Sequence, residues 1–162
     1  MTSLEVQKTP QEKQQLYLET VNQFFGQVKE WLPESVETVQ TKNALLEDKT
    51  GEYEVPLLSI IKKGVLTPDS VIANLLPQGI SFLTGEDLIE IKGAWDEEEL
   101  AYIRQKNLIQ TVRHGKECLM DEGFEKEGWY WILINQDQIR PITKELFFEI
   151  IRKVSNQPME SI

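Results

Sequence analysis

The chain of 162 residues carries 27 Asp and Glu against 17 Lys and Arg, a net charge of −10, with 40% hydrophobic and 27% charged residues. This balance is typical of a globular protein with its own hydrophobic core and not of a disordered chain. The negative charge argues against a nucleic-acid-binding surface, which needs clustered Lys and Arg, and no apolar stretch approaches the roughly 20 residues of a membrane helix.

Two further features of the sequence bear on its location. The single cysteine, Cys118, allows no disulfide within the chain, and residues 1–10 lack the basic start and apolar centre of a secretory signal. We therefore expect a cytoplasmic protein. No linker divides the chain, so we expect one domain over residues 1–162, with flexible tails at 1–8 and 156–162.

The first predicted element is a helix. Thr9 is a suitable N-cap, Pro10 suits the first helical position, and Glu12 completes a capping box. Within the helix, apolar residues recur at spacings of three and four, as on a helix packed against a core: Tyr17, Val21, Phe24, Val28 and Trp31. Pro33 ends the helix.

A hairpin is predicted next. One strand lies within residues 36–46, a turn follows at 48–51, and the second strand covers 53–61. Pro56 has no N–H to donate, so this second strand is expected at a sheet edge or bulged at that residue.

Two helices are predicted in the middle of the chain. Thr67 as a cap and Pro68 in the first turn predict a short helix over 67–76. Asp96, followed by three Glu, predicts another helix over 96–108, because negative charge is stabilised at a helix N-terminus.

The remaining segments predict strands and a last helix. Residues 80–83 and 88–91 form a hairpin pattern, 117–120 resembles a strand, and 138–141 is a short strand at an edge because it ends in Pro. A last helix over 144–154 is capped by Thr143, and its apolar stripe has helical spacing: Leu146, Phe147, Ile150, Ile151 and Val154.

The run 129–135 is the strongest strand signal. It is aromatic and β-branched, and it follows a Gly-containing turn. Alternate side chains point to opposite faces, and both sets are apolar, which predicts a central strand covered on both sides. The order of elements favours the α+β class: an antiparallel sheet of about five to six strands, with 129–135 central and the N-terminal and C-terminal amphipathic helices packed on it.

Signatures of catalysis and of cofactor binding are missing from the sequence. His114 and Cys118 are four positions apart, but a buried core cysteine and an exposed loop histidine explain them better than a catalytic pair. The acidic segment 121–125 departs from a calcium loop, because Phe124 stands where an oxygen ligand is needed. Carboxylates are abundant, but nothing selects a pair for acid–base chemistry. We expect no catalytic residue, no cofactor and no metal.

The four tryptophans have two interpretations. They fill the core, or some of them line an aromatic surface for a partner, since interfaces favour Trp and Tyr. The candidate partner-binding residues are Trp95, Trp129, Tyr130 and Trp131.

We therefore predict a non-catalytic protein-interaction or adaptor module. Its partner is another protein or a second copy of itself, as a homodimer, with no nucleic acid and no membrane. The alternative is a small-ligand-binding protein or an enzyme with a pocket of carboxylates and aromatic residues.

Overall fold

The computed structural model describes most of the chain. For residues 42, 43, 110–113 and 116–119 it describes the backbone alone. The described residues are 8–64, 70–81, 85–104, 110–113, 116–119, 124–133, 136 and 138–155. The predictions for the tails at 1–7 and 156–162, for His114 and for the loop at 121–123 lie outside these residues.

Two helices flank the described strands. Helix α1 (Pro10–Trp31) precedes the strands, and helix α2 (Lys144–Ser155) follows them. The strands are β1 (Val36–Asp48), β2 (Gly51–Lys62), β3 (Val71–Ile80), β4 (Asp87–Lys92), β5 (Glu97–Ile103), β6 (Gln110–Arg113), β7 (Lys116–Leu119), β8 (Gly128–Leu133) and β9 (Gln138–Pro141).

Seven of these strands form one antiparallel sheet. Their order is β1-β2-β3-β4-β5-β8-β9. Strands β6 and β7, which come between β5 and β8 along the chain, pair with each other in a separate two-stranded sheet. The α+β class and the antiparallel sheet are confirmed. The sheet has more strands than the five to six expected, because both helices predicted in the middle of the chain are strands.

The caps of both helices form as predicted. Thr9 Oγ1 accepts the Glu12 backbone N–H at 3.1 Å, and Glu12 Oε1 accepts the Thr9 N–H at 2.9 Å, which is the reciprocal capping box. At the start of α2, Thr143 Oγ1 accepts the Leu146 N–H at 3.1 Å. These local signals are sufficient because a cap involves only neighbouring residues.

The predicted helix over 67–76 is wrong for its described part. Val71 and Ile72 are β-branched, and the buried Ala73 and Leu75 are two residues apart, as in a strand. Pairing of β3 with both β2 and β4 overrides the local helix signal. A register shift between Pro77 and Gly79 accommodates the missing Pro N–H without ending the strand.

The predicted helix over 96–108 is also wrong over Glu97–Ile103, which is β5. Leu100 faces the helices, whereas Ala101 and Ile103 belong to a cluster on the opposite face of the sheet. This alternation of faces, together with the pairing of β5 with β4 and β8, outweighs the helix preference of the acidic residues that begin at Asp96.

The predicted first hairpin, β1 with β2, is confirmed, and so is the bulge expected near Pro56. Thr41 pairs with Leu57 and Ala44 with Val55, so β1 contains an extra residue opposite the proline. Strand β2 is not an edge strand, because β3 pairs with it over residues 58–61, beyond Pro56.

Strand β8 is covered on both faces, as predicted. Tyr130 is 1% exposed and Trp131 is 5% exposed, and they point to opposite sides of the sheet. It is an interior strand but lies next to the edge strand β9, not in the middle of the sheet, and its described part ends at Leu133.

The main core lies between the sheet and the two helices, and a smaller cluster occupies the opposite face of β5, β8 and β9. Neither helix of the described part combines the length and apolar composition that crossing a membrane requires. The largest fully buried side chains of the main core are Tyr17, Phe25, Phe147, Leu58, Ile60, Ile72, Leu75, Ile89, Ile91 and Leu100.

Candidate functional site

A groove of about 260 Å³ lies between α1 and the strands β5 and β8. Helix α1 contributes residues at spacings of three and four, which therefore share one flank of the helix. Tyr102 and Trp129 are direct cross-strand partners on the facing strands. We call this the aromatic groove; its lining residues are Gln23, Phe24, Gln27, Trp31, Tyr102, Trp129 and Ile142.

Ring contacts hold the walls of the aromatic groove in place. The Phe24 and Trp129 ring centroids are 5.3 Å apart, and Phe24 also makes an edge contact with Trp31 at 6.4 Å. Tyr102 meets Trp129 at 5.5 Å with its ring nearly perpendicular. Such contacts add to the energy of burial and restrict ring rotation, so the groove is preformed.

The hydroxyl of Tyr102 also has a defined partner. It donates a hydrogen bond to Glu127 Oε2 at 2.7 Å. Partial burial, followed by the effect of the Glu127 carboxylate, raises the pKa of Tyr102 to about 12. Tyr102 is therefore a neutral phenol at physiological pH, and it lines one wall of the groove.

The predicted partner-binding residues do not form one surface. Trp129 lines the aromatic groove, half-buried. Trp131 lies in the main core, where its indole N–H donates to Glu98 Oε1 at 2.7 Å and the Lys153 ammonium lies 5.8 Å from its ring centre. This position gives Trp131 a packing role beside α2.

Tyr130 lies on the opposite face of the sheet. Its ring stacks on Phe124 with centroids 5.6 Å apart. Its hydroxyl accepts the N–H groups of Glu125 and Lys126, at 2.8 and 3.0 Å, and donates to the Lys126 carbonyl at 2.7 Å. Tyr130 therefore anchors the loop before β8.

Trp95 stands apart from the other three. It is 70% exposed in the turn between β4 and β5, and its backbone N–H donates to the Val154 carbonyl at 2.8 Å.

Sequence reasoning placed Phe24 and Trp31 in the core stripe of α1 and missed the groove residues Gln23 and Gln27. The spacing of these four along the helix is the signal that identifies them.

A buried polar cluster lies at the other end of α1. Asp48 accepts hydrogen bonds from the Thr50 N–H at 2.8 Å, the Tyr53 hydroxyl at 2.6 Å and the Ile80 N–H at 3.1 Å. Burial acts to raise the pKa of Asp48, but these hydrogen bonds prevail and hold it below its ordinary value. With the Thr50 hydroxyl as a fourth donor, each oxygen of this carboxylate accepts two hydrogen bonds.

Tyr17 connects the polar cluster to the sheet. Its hydroxyl donates to the Leu88 carbonyl at 2.7 Å and accepts the Gly79 N–H at 2.9 Å. Gly79 has a φ of +84°, and an added Cβ would lie 2.8 Å from Asp48 Oδ2, so only glycine fits between these groups.

The second buried carboxylate, Asp87, has a different environment. Its Oδ2 accepts from Arg104 Nη2 at 3.0 Å, and the carboxyl side chain is 5% exposed. Burial raises the pKa of Asp87 above its ordinary value in spite of the arginine. Asp87, Tyr102 and Trp129 are successive cross-strand partners, so this ion pair and the aromatic groove lie at the two ends of one row.

Comparisons with protein families, with characterised proteins and with solved structures find no match for this chain. Within the described residues, no group of three or more His, Cys, Asp and Glu is arranged to hold a metal ion. The geometry of the chain itself is therefore the basis for a proposed function.

Proposed function

We propose that this chain is a non-catalytic protein-interaction module that binds a segment of a partner protein in the aromatic groove. The observation that supports the proposal is the combination of half-buried indoles and exposed carboxamides in one groove. Trp31 and Trp129 offer apolar surface that the fold leaves partly uncovered. Interfaces favour Trp and Tyr in such positions, because a large rigid ring gains contact area at a small cost in conformational entropy.

The polar rim favours a polypeptide as the occupant. Gln23 and Gln27 are exposed on the same flank of α1, and each carboxamide has both a donor and an acceptor for hydrogen bonds. Peptide groups need the same pair of bonds. A segment with an apolar or aromatic side chain in the groove and its backbone along the rim satisfies both requirements.

The same residues favour binding over catalysis. Carboxamides do not titrate and are poor nucleophiles, and the nearby Glu127 is already hydrogen-bonded to Tyr102. The described lining therefore offers contact surface without a carboxylate, imidazole, amine or thiol among its side chains.

A peptide display library tests the proposal. Random dodecapeptides are selected on the immobilised wild-type protein, and their affinity is measured by fluorescence anisotropy. The blocking variant Q23K/Q27K places two longer, charged side chains at the rim of the groove and leaves the buried residues unchanged. The control variant Q11K/Q15K makes the same charge change at exposed positions on the same helix.

We expect selected peptides to share an apolar or aromatic anchor, to lose at least tenfold in affinity for Q23K/Q27K, and to keep their affinity for Q11K/Q15K within twofold. Failure to select any peptide, or equal binding to both variants, overturns the proposal. If the wild-type protein is a dimer by light scattering and only Q23K/Q27K is monomeric, the occupant is a second copy.

A further inference from the structure

A second cavity, of about 300 Å³, lies at the opposite end of the row that starts at the aromatic groove. Residues of the first turns of α1, of the β1–β2 turn, of the adjacent ends of β3 and β4 and of the segment after β5 line it. We call it the basic cavity; the lining residues that matter are Lys13, Lys49, Arg104, Asp87, Leu16 and Ile80.

The charge of this cavity is opposite to that of the protein. Lys13, Lys49 and Arg104 come from three different elements and line one cavity in a chain of net charge −10. Asp87 is the acidic member of the described lining, and it pairs with Arg104. Convergent cations raise the local concentration of anions and hold them with charge-assisted hydrogen bonds.

Arg104 is held ready for such a ligand. Asp87 fixes one nitrogen of its guanidinium at 3.0 Å, and the group lies 4.7 Å from the ring centre of Tyr102. The arginine side chain is nevertheless 33% exposed. A guanidinium has five N–H donors, so one bond to Asp87 leaves it able to bind an anion without changing its orientation.

The walls of the cavity favour an organic ligand over an inorganic ion. Leu16 and Ile80 contribute apolar surface beside the cations. Ligand pockets typically combine such apolar walls with a few polar groups that fix orientation, and 300 Å³ is at the small end of their range.

We propose that the basic cavity binds a small organic anion, whose carboxylate or phosphate group contacts Lys13, Lys49 and Arg104 while its carbon part packs on Leu16 and Ile80. This site is separate from the aromatic groove and goes beyond the proposed protein interaction. It differs from the pocket of carboxylates and aromatic residues that the sequence left open as an alternative, because cations and aliphatic side chains line it.

Isothermal titration calorimetry tests the site with four probes: phenyl phosphate, benzoate, inorganic phosphate and acetate. The variant K13Q/K49Q removes two exposed cations of the cavity, and K63Q/K126Q removes two exposed cations elsewhere. We expect an aromatic anion to bind the wild-type protein more tightly than its inorganic or methyl counterpart. We expect at least a tenfold weakening in K13Q/K49Q and less than twofold in K63Q/K126Q.

Each outcome decides a part of the proposal. Tighter binding of phenyl phosphate than of benzoate identifies a phosphate ligand, and the reverse identifies a carboxylate. Equal weakening in both variants, undiminished binding to K13Q/K49Q, or no preference for aromatic anions overturns the site. Q23K/Q27K should bind these anions as the wild-type protein does, so the basic cavity and the aromatic groove fail or succeed separately.

Discussion

Two buried aspartates at the same end of the sheet have opposite environments. Asp48 is surrounded by three donor residues and makes a closed hydrogen-bonded cluster. Asp87 has Arg104 as its partner and borders a cavity. The comparison indicates how to distinguish a carboxylate that stabilises a fold from one that belongs to a binding site. The structural carboxylate accepts all its hydrogen bonds from donors fixed within the fold. The carboxylate of a binding site orients a side chain that is still partly exposed to solvent.

The largest expected effect is at Asp48. Asp48→Ala leaves the buried Tyr53 hydroxyl and the backbone N–H groups of Thr50 and Ile80 without their acceptor, which should lower the free energy of unfolding by roughly 3–4 kcal/mol. Urea denaturation measures the change. Glu47→Ala, at an exposed neighbouring position, should stay within about 0.5 kcal/mol. A loss below about 1 kcal/mol at Asp48 contradicts the view that its hydrogen bonds hold the cluster together.

A smaller effect is expected at Asp87. Asp87→Asn should change the free energy of unfolding by about 1 kcal/mol or less, because burial already disfavours the charged carboxylate and Arg104 remains partly hydrated. A destabilisation as large as that of Asp48→Ala would show that the ion pair is a structural element like the Asp48 cluster.

The smallest effect is a difference in pH dependence. The pKa of Asp87 is raised above 3.8 in the folded protein, so the folded state binds more protons and this group's stabilising contribution is lost as pH rises through its folded pKa. The pKa of Asp48 is lowered, so its contribution is present above 3.8 and is lost as pH falls through its folded pKa.

Urea titrations from pH 3 to 7 separate the two groups. Asp87→Asn should remove the loss of stability that occurs as the pH rises above 3.8. Asp48→Asn should remove the loss that occurs as the pH falls below 3.8. Identical profiles for the two variants would contradict the opposite environments of the two aspartates.

The sequence predicted features that depend on neighbouring residues. The capping box of Thr9 and Glu12 and the cap at Thr143 formed as expected, because a cap is local chemistry. The acidic start at Asp96 is an equally strong local signal, yet β5 follows it. Strand pairing with β4 and β8 is decided by residues far along the chain, which no local pattern records.

The candidate sites show the same division. Trp129 was singled out from its own strand, but Phe24 and Trp31 reach it only through the packing of α1 on the sheet. Lys13 and Arg104 line one cavity although Lys13 lies on the first helix and Arg104 directly follows the fifth strand. A single sequence contains no signal for such a convergence, since charged residues are mostly exposed wherever they occur.

The bulge between Thr41 and Ala44 has a consequence for solubility. Strand β1 is an outer strand of thirteen residues, and a long straight strand at that position is a template for fibril growth. The extra residue opposite Pro56 twists and kinks β1 near its middle. Only short stretches on either side remain regular, and this interruption protects the protein against stacking into cross-β aggregates.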